Sequence, residues 1–141
     1  MSGFLVDTNG ISEFVRPQPN ERVTRWLDAA DPESLFVSVI TFGEIRLGLE
    51  DLPARRRRAA LEEWFENGLP AWFDAHLLPV TKAIADRWGR LAVEAKKNGI
   101  SLATADGLIA GTAIEHNLAI VTRNVADFST CGAVMINPWE L

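Results

Sequence analysis

The sequence has few of the residues that support catalysis without a metal. It contains one cysteine, Cys131, so no disulfide can form within the chain, which fits a reducing compartment. Its two histidines, His76 and His116, are far apart in the sequence, and no serine or cysteine motif accompanies them. Neither a glycine-rich phosphate loop nor a zinc-type spacing of Cys and His occurs. We therefore expect Cys131 to be a packing residue and His116 to end a helix.

Long apolar stretches are also missing. No part of the chain approaches the roughly 20 apolar residues that a membrane span needs. The first residues reach Asp7 after three apolar ones, without the basic start and apolar stretch of a signal peptide. With 141 residues, 48% of them hydrophobic and 23% charged, the composition is that of one globular domain. We predict a cytoplasmic protein with a single domain over residues 1–141.

Positive charge is scarce overall. The net charge of −5 argues against broad electrostatic binding of nucleic acid. One basic run exists, the four arginines at 55–58, and our preferred interpretation is a solvated helix face. A nuclease with this charge needs divalent cations at an acidic centre, or basic residues gathered at its rim.

Short apolar runs alternate with helical patterns along the chain. This alternation predicts an α/β fold, with a parallel sheet of about five strands flanked by helices. The predicted strands cover residues 3–6, 35–40, 77–80, 118–121 and 133–136, and Pro79 favours an edge position for the third. Three of the predicted helices cover residues 8–16, 41–49 and 104–116. Asn20 is predicted to cap a further helix, and another begins at Pro53 and stops at Asn67–Gly68. The sixth begins after a cap at Thr81 and ends at Asn98–Gly99.

Four acidic residues fall at or near the predicted carboxyl ends of strands, where open parallel sheets bind ligands. Asp7 directly follows the first strand, and Glu44 lies one helical turn past the second. Asp127 comes shortly after the fourth strand, and Asp106 lies in the first turn of the helix before it. Carboxylates suit Mg²⁺ or Mn²⁺, which can activate water for phosphodiester hydrolysis. Without metal, mutual repulsion should raise the pKa of at least one of them.

Each acid also has a purely structural interpretation. Asp7 could cap a helix, although an acid after a buried strand is costly without a partner. Thr41 and Glu44 match a capping box, which leaves the capping and catalytic roles of Glu44 both open. Asp106 could complement a helix dipole, and Asp127 could be an ordinary loop acid. The functional interpretation rests on the convergence of all four at one sheet edge.

Two further features of the predicted helix at 104–116 bear on the site. Glu115 follows Asp106 by about 900° of helical rotation, so it faces the other side and is left out of the cluster. Gly107 and Gly111 each cost about 1 kcal/mol relative to alanine within a helix. We interpret them as positions of close packing against the sheet.

The ordered motifs resemble those of VapC-type toxins, the PIN-domain ribonucleases of bacterial toxin–antitoxin systems, in their FitB-like branch. The resemblance covers nearly the whole chain and rests on the segments at 4–9 with Ser12 and Glu13, at 38–48, at 106–113, at 122–128 and at 137–139. The chain departs from the family at Gly10, where Val is frequent, and at Gly107 and Gly111, where Ala is usual. These departures remove no acid and bear mildly on stability.

The resemblance implies a PIN fold, dependence on Mg²⁺ or Mn²⁺, and endoribonuclease activity that inhibits translation and growth. It also implies a homodimer, neutralised by a VapB-type antitoxin in a higher toxin–antitoxin complex. By position, Asp7, Glu44, Asp106 and Asp127 take the catalytic roles. Asp7 and Asp106 are the first metal ligands by this resemblance, with Glu44 and Asp127 as further candidates.

Four more residues receive roles from the resemblance. Asn9, Thr122 and Asn124 are expected to orient the ligands and the attacking water. Arg123 is expected to contact RNA phosphate or the antitoxin, or to pair with the acids when metal is absent. In-line attack by water would leave 5′-phosphate and 3′-hydroxyl ends.

Three other classes of protein share some of these features. A phosphatase of the haloacid-dehalogenase type needs a second Asp two residues after Asp7, where this chain has Asn9. A phosphorylated receiver domain needs paired acids at the first strand, an Asp at the third and a Lys after the fifth, whereas this chain has Pro79-Val80 at the third strand and no Lys from Arg123 onward. A protein that only binds an antitoxin, with its acids capturing arginines but cutting no RNA, remains open.

Overall fold

A parallel sheet of five strands forms the centre of the molecule. The computed structural model describes residues 3–141, so the prediction of one domain over 1–141 includes Met1 and Ser2, which lie outside the described residues. The strands follow the order β3-β2-β1-β4-β5, and every neighbouring pair is parallel. They are β1 (Phe4–Val6), β2 (Leu35–Ser38), β3 (Leu77–Leu78), β4 (Ala119–Val121) and β5 (Met135–Ile136). The predicted α/β fold is confirmed, as is the edge position of β3.

The two central strands are buried on both faces. Leu5, Val6, Ile120 and Val121 are fully inaccessible to solvent. Strands covered by helices on both sides need apolar residues at every position, which explains the continuous apolar runs in the sequence. One apolar cluster lies on each face of the sheet, and Cys131 packs in one of them, as expected.

Seven α-helices occur among residues 3–141. They are α1 (Thr8–Glu13), α2 (Glu21–Ala29), α3 (Val39–Glu50), α4 (Arg56–Glu63), α5 (Leu69–Phe73), α6 (Lys82–Lys97) and α7 (Thr104–Glu115). Short 3₁₀ turns occur at Pro32–Ser34, Asp74–His76, Val125–Phe128 and Pro138–Glu140. Within the described part of the chain, no helix combines the length and the apolar character that crossing a membrane requires.

The start of α3 differs from the prediction. Residues 39 and 40 belong to the helix and not to the strand, because the Ser38 side chain accepts a hydrogen bond from the backbone N–H of Ile40 at 3.0 Å and caps the helix there. Thr41 is therefore inside α3 and cannot be its cap. The predicted capping box of Thr41 and Glu44 is wrong.

Helix α1 is shorter than predicted, ending at Glu13 instead of residue 16. The buried Glu13 carboxylate accepts a hydrogen bond from the backbone N–H of Asn20 at 2.6 Å. This bond ties the loop before α2 back onto α1. Asn20 also caps α2, as predicted, by accepting from the N–H of Arg22 at 2.9 Å.

The helix predicted to stop at Asn67–Gly68 continues. A π-helical turn, Trp64–Gly68, joins α4 directly to α5. Gly68 keeps a right-handed helical conformation, and Pro70 lies in the first turn of α5, where no backbone N–H is needed. The Asn-Gly pair is therefore part of a helix, and the prediction of a stop there was wrong.

Both long C-terminal helices end where the sequence predicted. Thr81 caps α6, and Gly99, with φ of 74°, follows its last turn. In α7, His116 occupies the C-cap position, and Asn117, with φ of 55°, turns the chain so that the N–H of Leu118 reaches the carbonyl of Ala113 at 2.8 Å. At its start, α7 has Ala103 in the N-cap position, where no side chain forms a capping hydrogen bond.

The glycines of α7 pack against α6 and not against the sheet. A Cβ on Gly107 would lie 2.4 Å from Cδ1 of Trp88, and one on Gly111 would lie 3.2 Å from the backbone oxygen of Ile84. The predicted close packing is therefore present, but its partner is the neighbouring helix. Absence of a side chain at these two positions is what lets α6 and α7 approach.

We expect Gly107→Ala to lower the free energy of unfolding by about 1–3 kcal/mol, because the added methyl group collides with the Trp88 ring. Gly89→Ala is the matched control. Gly89 lies inside α6 with open space around its missing Cβ, so alanine there should raise stability by up to about 1 kcal/mol. Urea unfolding of both variants measures the difference. Equal effects of the two substitutions would contradict the packing argument.

Candidate active site

Asp7 lies at the carboxyl end of β1, next to the end of β4. Its backbone N–H donates to the carbonyl of Val121 at 2.9 Å, which extends the β1–β4 pairing by one residue. Its side chain is only 4% exposed and caps α1, with Oδ1 accepting from the N–H of Thr8 at 2.8 Å. The capping role is therefore real, but it uses only one of the two carboxylate oxygens.

The second oxygen of Asp7 is held from β4. Thr122 donates its hydroxyl to Oδ2 at 2.8 Å, and Asn9 donates its amide to the same oxygen at 3.3 Å. Asn124 contributes through its backbone N–H, which donates to the Thr122 hydroxyl at 3.0 Å. Burial raises the pKa of Asp7, the nearby Glu44 charge adds to this effect, and these hydrogen bonds oppose it.

Glu44 approaches the same place from α3. Its Oε1 accepts a hydrogen bond from the hydroxyl of Thr8 at 2.6 Å, and the Thr41 hydroxyl lies 3.4 Å from that of Thr8. Thr8 therefore connects Glu44 to the residue that follows Asp7. Thr8 had no predicted role, although its place directly after Asp7 in the first motif is a sequence signal for one.

Asp106 lies in the first turn of α7 and is partly buried. Its pKa is raised to about 6, first by burial and then by the charges of Asp7, Asp127 and Glu44. A helix N-terminus would lower the pKa, so the helix dipole is not what governs this residue. Because the other three acids all act on Asp106, the four carboxylates share one electrostatic environment, as the sequence predicted for a cluster.

Asp127 is the most open of the four acids. It lies exposed in the 3₁₀ turn Val125–Phe128 that follows β4. Among the hydrogen bonds of the described side chains, its carboxylate has no donor. Its place in the cluster rests on its charge acting on Asp106.

No cation within residues 3–141 neutralises this cluster, because none of the four carboxylates takes part in an ion pair. Arg123, expected to pair with the acids in the absence of metal, does not do so in this structure. Its guanidinium carbon lies 5.9 Å from the ring centroid of Trp139. Glu115, left out of the cluster, lies 3.7 Å from Arg87 of α6.

The donor set fits a hard divalent cation in its chemistry. It consists of carboxylate oxygens with uncompensated charge, which Mg²⁺ and Mn²⁺ prefer. Over residues 3–141, however, no three acidic, histidine or cysteine side chains converge closely enough to form a complete ligand set. Mg²⁺ commonly keeps several waters and binds only one or two protein carboxylates, so a set of three converging side chains is not a requirement for this ion.

A cleft of about 220 Å³ opens beside Glu44, between α1, α3 and α4. Its walls are mostly apolar and include Leu49, Leu52 and Trp64, while Arg16 and Arg57 lie at its edge. Two arginines of the basic run at 55–58 lie in different environments. Arg57 lines the cleft, whereas Arg58 is occupied by Glu50 and Glu62.

Comparison with known proteins gives one consistent result. The family model "PIN domain" matches residues 4–130. Toxin FitB of Neisseria gonorrhoeae is 39% identical over 96% of this chain and 98% of its own length. The VapC ribonuclease Y4jK of Sinorhizobium fredii is 35% identical over 96% of this chain and 97% of its own.

A solved structure agrees with these sequence relatives. The crystal structure of FitAcB from Neisseria gonorrhoeae superposes with a TM-score of 0.92 at 39% identity, covering 98% of this chain and 99% of that chain. The fold, the ordered motifs and the relatives therefore agree, and this chain belongs to the PIN-domain family.

Proposed function

We propose that this protein is a metal-dependent endoribonuclease, the toxin of a VapC-type toxin–antitoxin pair that acts on RNA in the cytoplasm. The observation that carries the proposal is the cluster of Asp7, Glu44, Asp106 and Asp127, which share one field without a neutralising cation among the described residues. The ribonuclease name of a 35% identical relative and the toxin name of a 39% identical one support it.

Asp7 and Asp106 are the proposed ligands of Mg²⁺ or Mn²⁺, with Glu44 and Asp127 as further candidates. When bound, the cation supplies a Lewis acid that lowers the pKa of water and offsets the charge of the phosphate. Hydrogen bonds from Thr122 and Asn9 hold the Asp7 carboxylate in one orientation, so that its remaining lone pairs are fixed for a cation. Asn124 supports this arrangement by donating to Thr122.

Glu44 or Asp127 is the proposed acceptor of the proton from the attacking water. Thr8 holds one oxygen of Glu44, which leaves the other oxygen to accept. Attack in line with the leaving 3′-oxygen breaks the P–O bond and leaves 5′-phosphate and 3′-hydroxyl ends. The exposed position of Asp127 also suits a residue that contacts solvent or a second cation.

Assembly forms part of the same proposal. We infer that the protein forms a homodimer and that a VapB-type antitoxin neutralises it in a higher complex. The apolar cleft beside Glu44 supports the second statement, because a peptide segment with apolar side chains and a basic residue could fill the cleft and reach the acids. Such a segment would block RNA from the same centre.

Asp7→Asn and Asp106→Asn should each lower RNA cleavage at least about a hundredfold, because each removes a carboxylate charge that the cation needs. Glu115→Gln is the matched control on α7, since Glu115 pairs with Arg87 and should leave cleavage unchanged. Mapping RNA ends after expression of each variant, and assaying purified protein with Mn²⁺, measures the effect. Full cleavage by folded Asp7→Asn would disprove the assignment, and no cleavage by wild type would favour the binding-only alternative.

Asp106→Asn should also stabilise the metal-free protein above pH 6. The folded-state pKa of about 6 lies above the unfolded value of 3.8, so ionising Asp106 costs stability progressively between pH 4 and 6. Because solvent screens this side chain in part, we expect a gain of about 1–2 kcal/mol at pH 7 and almost none at pH 4. Thermal unfolding with EDTA across this pH range tests it. A gain of equal size at both pH values would contradict the electrostatic cause.

Gly48→Phe should weaken antitoxin binding at least about tenfold while RNA cleavage by the free toxin continues. Gly48 lines the cleft, is exposed within α3, and has open space around its missing Cβ, so the added ring fills the cleft without straining the helix. Gly89→Phe on α6 is the control. Calorimetry with the cognate antitoxin measures the affinity, and unchanged binding by Gly48→Phe would place the antitoxin elsewhere.

A further inference from the structure

Arg123 directly follows Thr122, which binds Asp7, and yet it pairs with no acidic residue among those described. Its backbone N–H donates to Oδ1 of Asn9 at 3.2 Å, and the amide of Asn9 donates to Asp7. The backbone of Arg123 is therefore two hydrogen bonds away from the centre of the cluster. An arginine so close to uncompensated carboxylates would be expected to bind one of them.

The Arg123 side chain lies toward Trp139 instead. Its guanidinium carbon is 5.9 Å from the centroid of the indole ring, within the distance of a cation–π contact. Tryptophan has the most favourable ring for such a contact, and guanidinium groups stack on aromatic faces while their N–H donors stay available at the edge. The contact therefore holds the charge without using its hydrogen bonds.

Trp139 is held in place by hydrogen bonds of its backbone and by packing of its side chain. Its backbone N–H donates to the side chain of Asn137 at 3.0 Å, and Arg22 of α2 donates to its carbonyl at 3.4 Å. The partly buried Trp139 side chain packs against the apolar cluster that includes Val6 and Val23, and Pro138 before it is buried. A ring held in this way is a stable platform for a neighbouring cation.

Several other arginines have their charge paired with acidic side chains. Arg58 contacts Glu50 and Glu62, Arg46 contacts Glu50 and Glu66, and Arg87 contacts Glu115. These residues connect helices. Arg123 differs because it combines exposure, a position at the acidic centre and a contact that leaves its donors free.

We propose that Trp139 is a positioning residue that holds Arg123 at the rim of the acidic centre, where the guanidinium binds a phosphate of the RNA backbone. This inference rests on the proposed ribonuclease function. Without Trp139, the guanidinium would turn toward the carboxylates and pair with them. Its charge would then no longer be available to RNA, and it would compete with the cation for the carboxylates. The platform thus separates the basic and acidic parts of one site.

The test measures binding of a fluorescein-labelled single-stranded RNA of mixed sequence, by anisotropy at several salt concentrations with Mg²⁺ present. An Asp106→Asn background prevents cleavage during the measurement. Arg123→Gln should weaken binding and reduce the slope of log affinity against log salt by about 0.7, the value for one phosphate contact on a single strand. Trp139→Leu should reproduce part of this loss, and Trp139→Phe should retain more of the wild-type slope. Arg90→Gln removes the same charge from an exposed position on α6 and should leave the slope unchanged.

A double-mutant cycle separates positioning from folding. Trp139→Leu should have little further effect once Arg123 is Gln, because its role acts through that residue. With the four acids intact, Trp139→Leu should raise KM for RNA and change kcat little. An unchanged salt slope in Arg123→Gln would overturn the proposal, as would an equal loss from Trp139→Leu in both backgrounds or no loss at all. Failure of wild type to cut RNA with Mn²⁺ is a different result, since it refutes the ribonuclease function on which the proposal rests.

Discussion

The pairing of β1 with β4 is the constraint on which the site depends. It places Val6 opposite Val121, so that the next residues, Asp7 and Thr122, meet across the sheet with 2.8 Å between hydroxyl and carboxylate. A slip of one residue would turn Thr122 to the opposite face and leave the buried carboxylate without its strongest donor. Burial of the apolar residues of the two central strands fixes the register of the pairing, and this register places Thr122 opposite the Asp7 carboxylate.

The ionised carboxylates of Asp7 and Asp106 destabilise the folded protein. Burial and like charges raise the pKa of Asp7 and Asp106, so ionising either carboxylate costs more free energy than in water, and a bound cation would offset that cost. Hydrogen bonds from Thr122, Thr8 and Asn9 offset part of that cost at Asp7, whereas Asp106 receives no side-chain hydrogen bond from residues 3–141 and is stabilised by its partial exposure to solvent. The acidic net charge, which at first argued against a nuclease, is thus partly a property of the site itself.

Sequence patterns predicted the strands and the position of Asp7, because buried parallel strands and the acid after them are local features. They failed where two local signals competed. Ser38 and Thr41 both suit a helix cap, and only the point at which β2 ends selects Ser38. The bond from Thr8 to Glu44 spans 36 positions and has no local signature. The contact between Arg123 and Trp139 likewise depends on how the C-terminal tail returns to the sheet.

The close approach of α6 to α7 connects the scaffold to the site. Gly107 follows Asp106 directly, and its missing side chain is what admits Trp88 of α6 against the first turns of α7. This packing orients the end of the helix on which Asp106 stands, since no side chain caps α7 at Ala103. A residue that looked like a weakness in the helix, costing about 1 kcal/mol in propensity, therefore helps to hold an acid in the field of the other three.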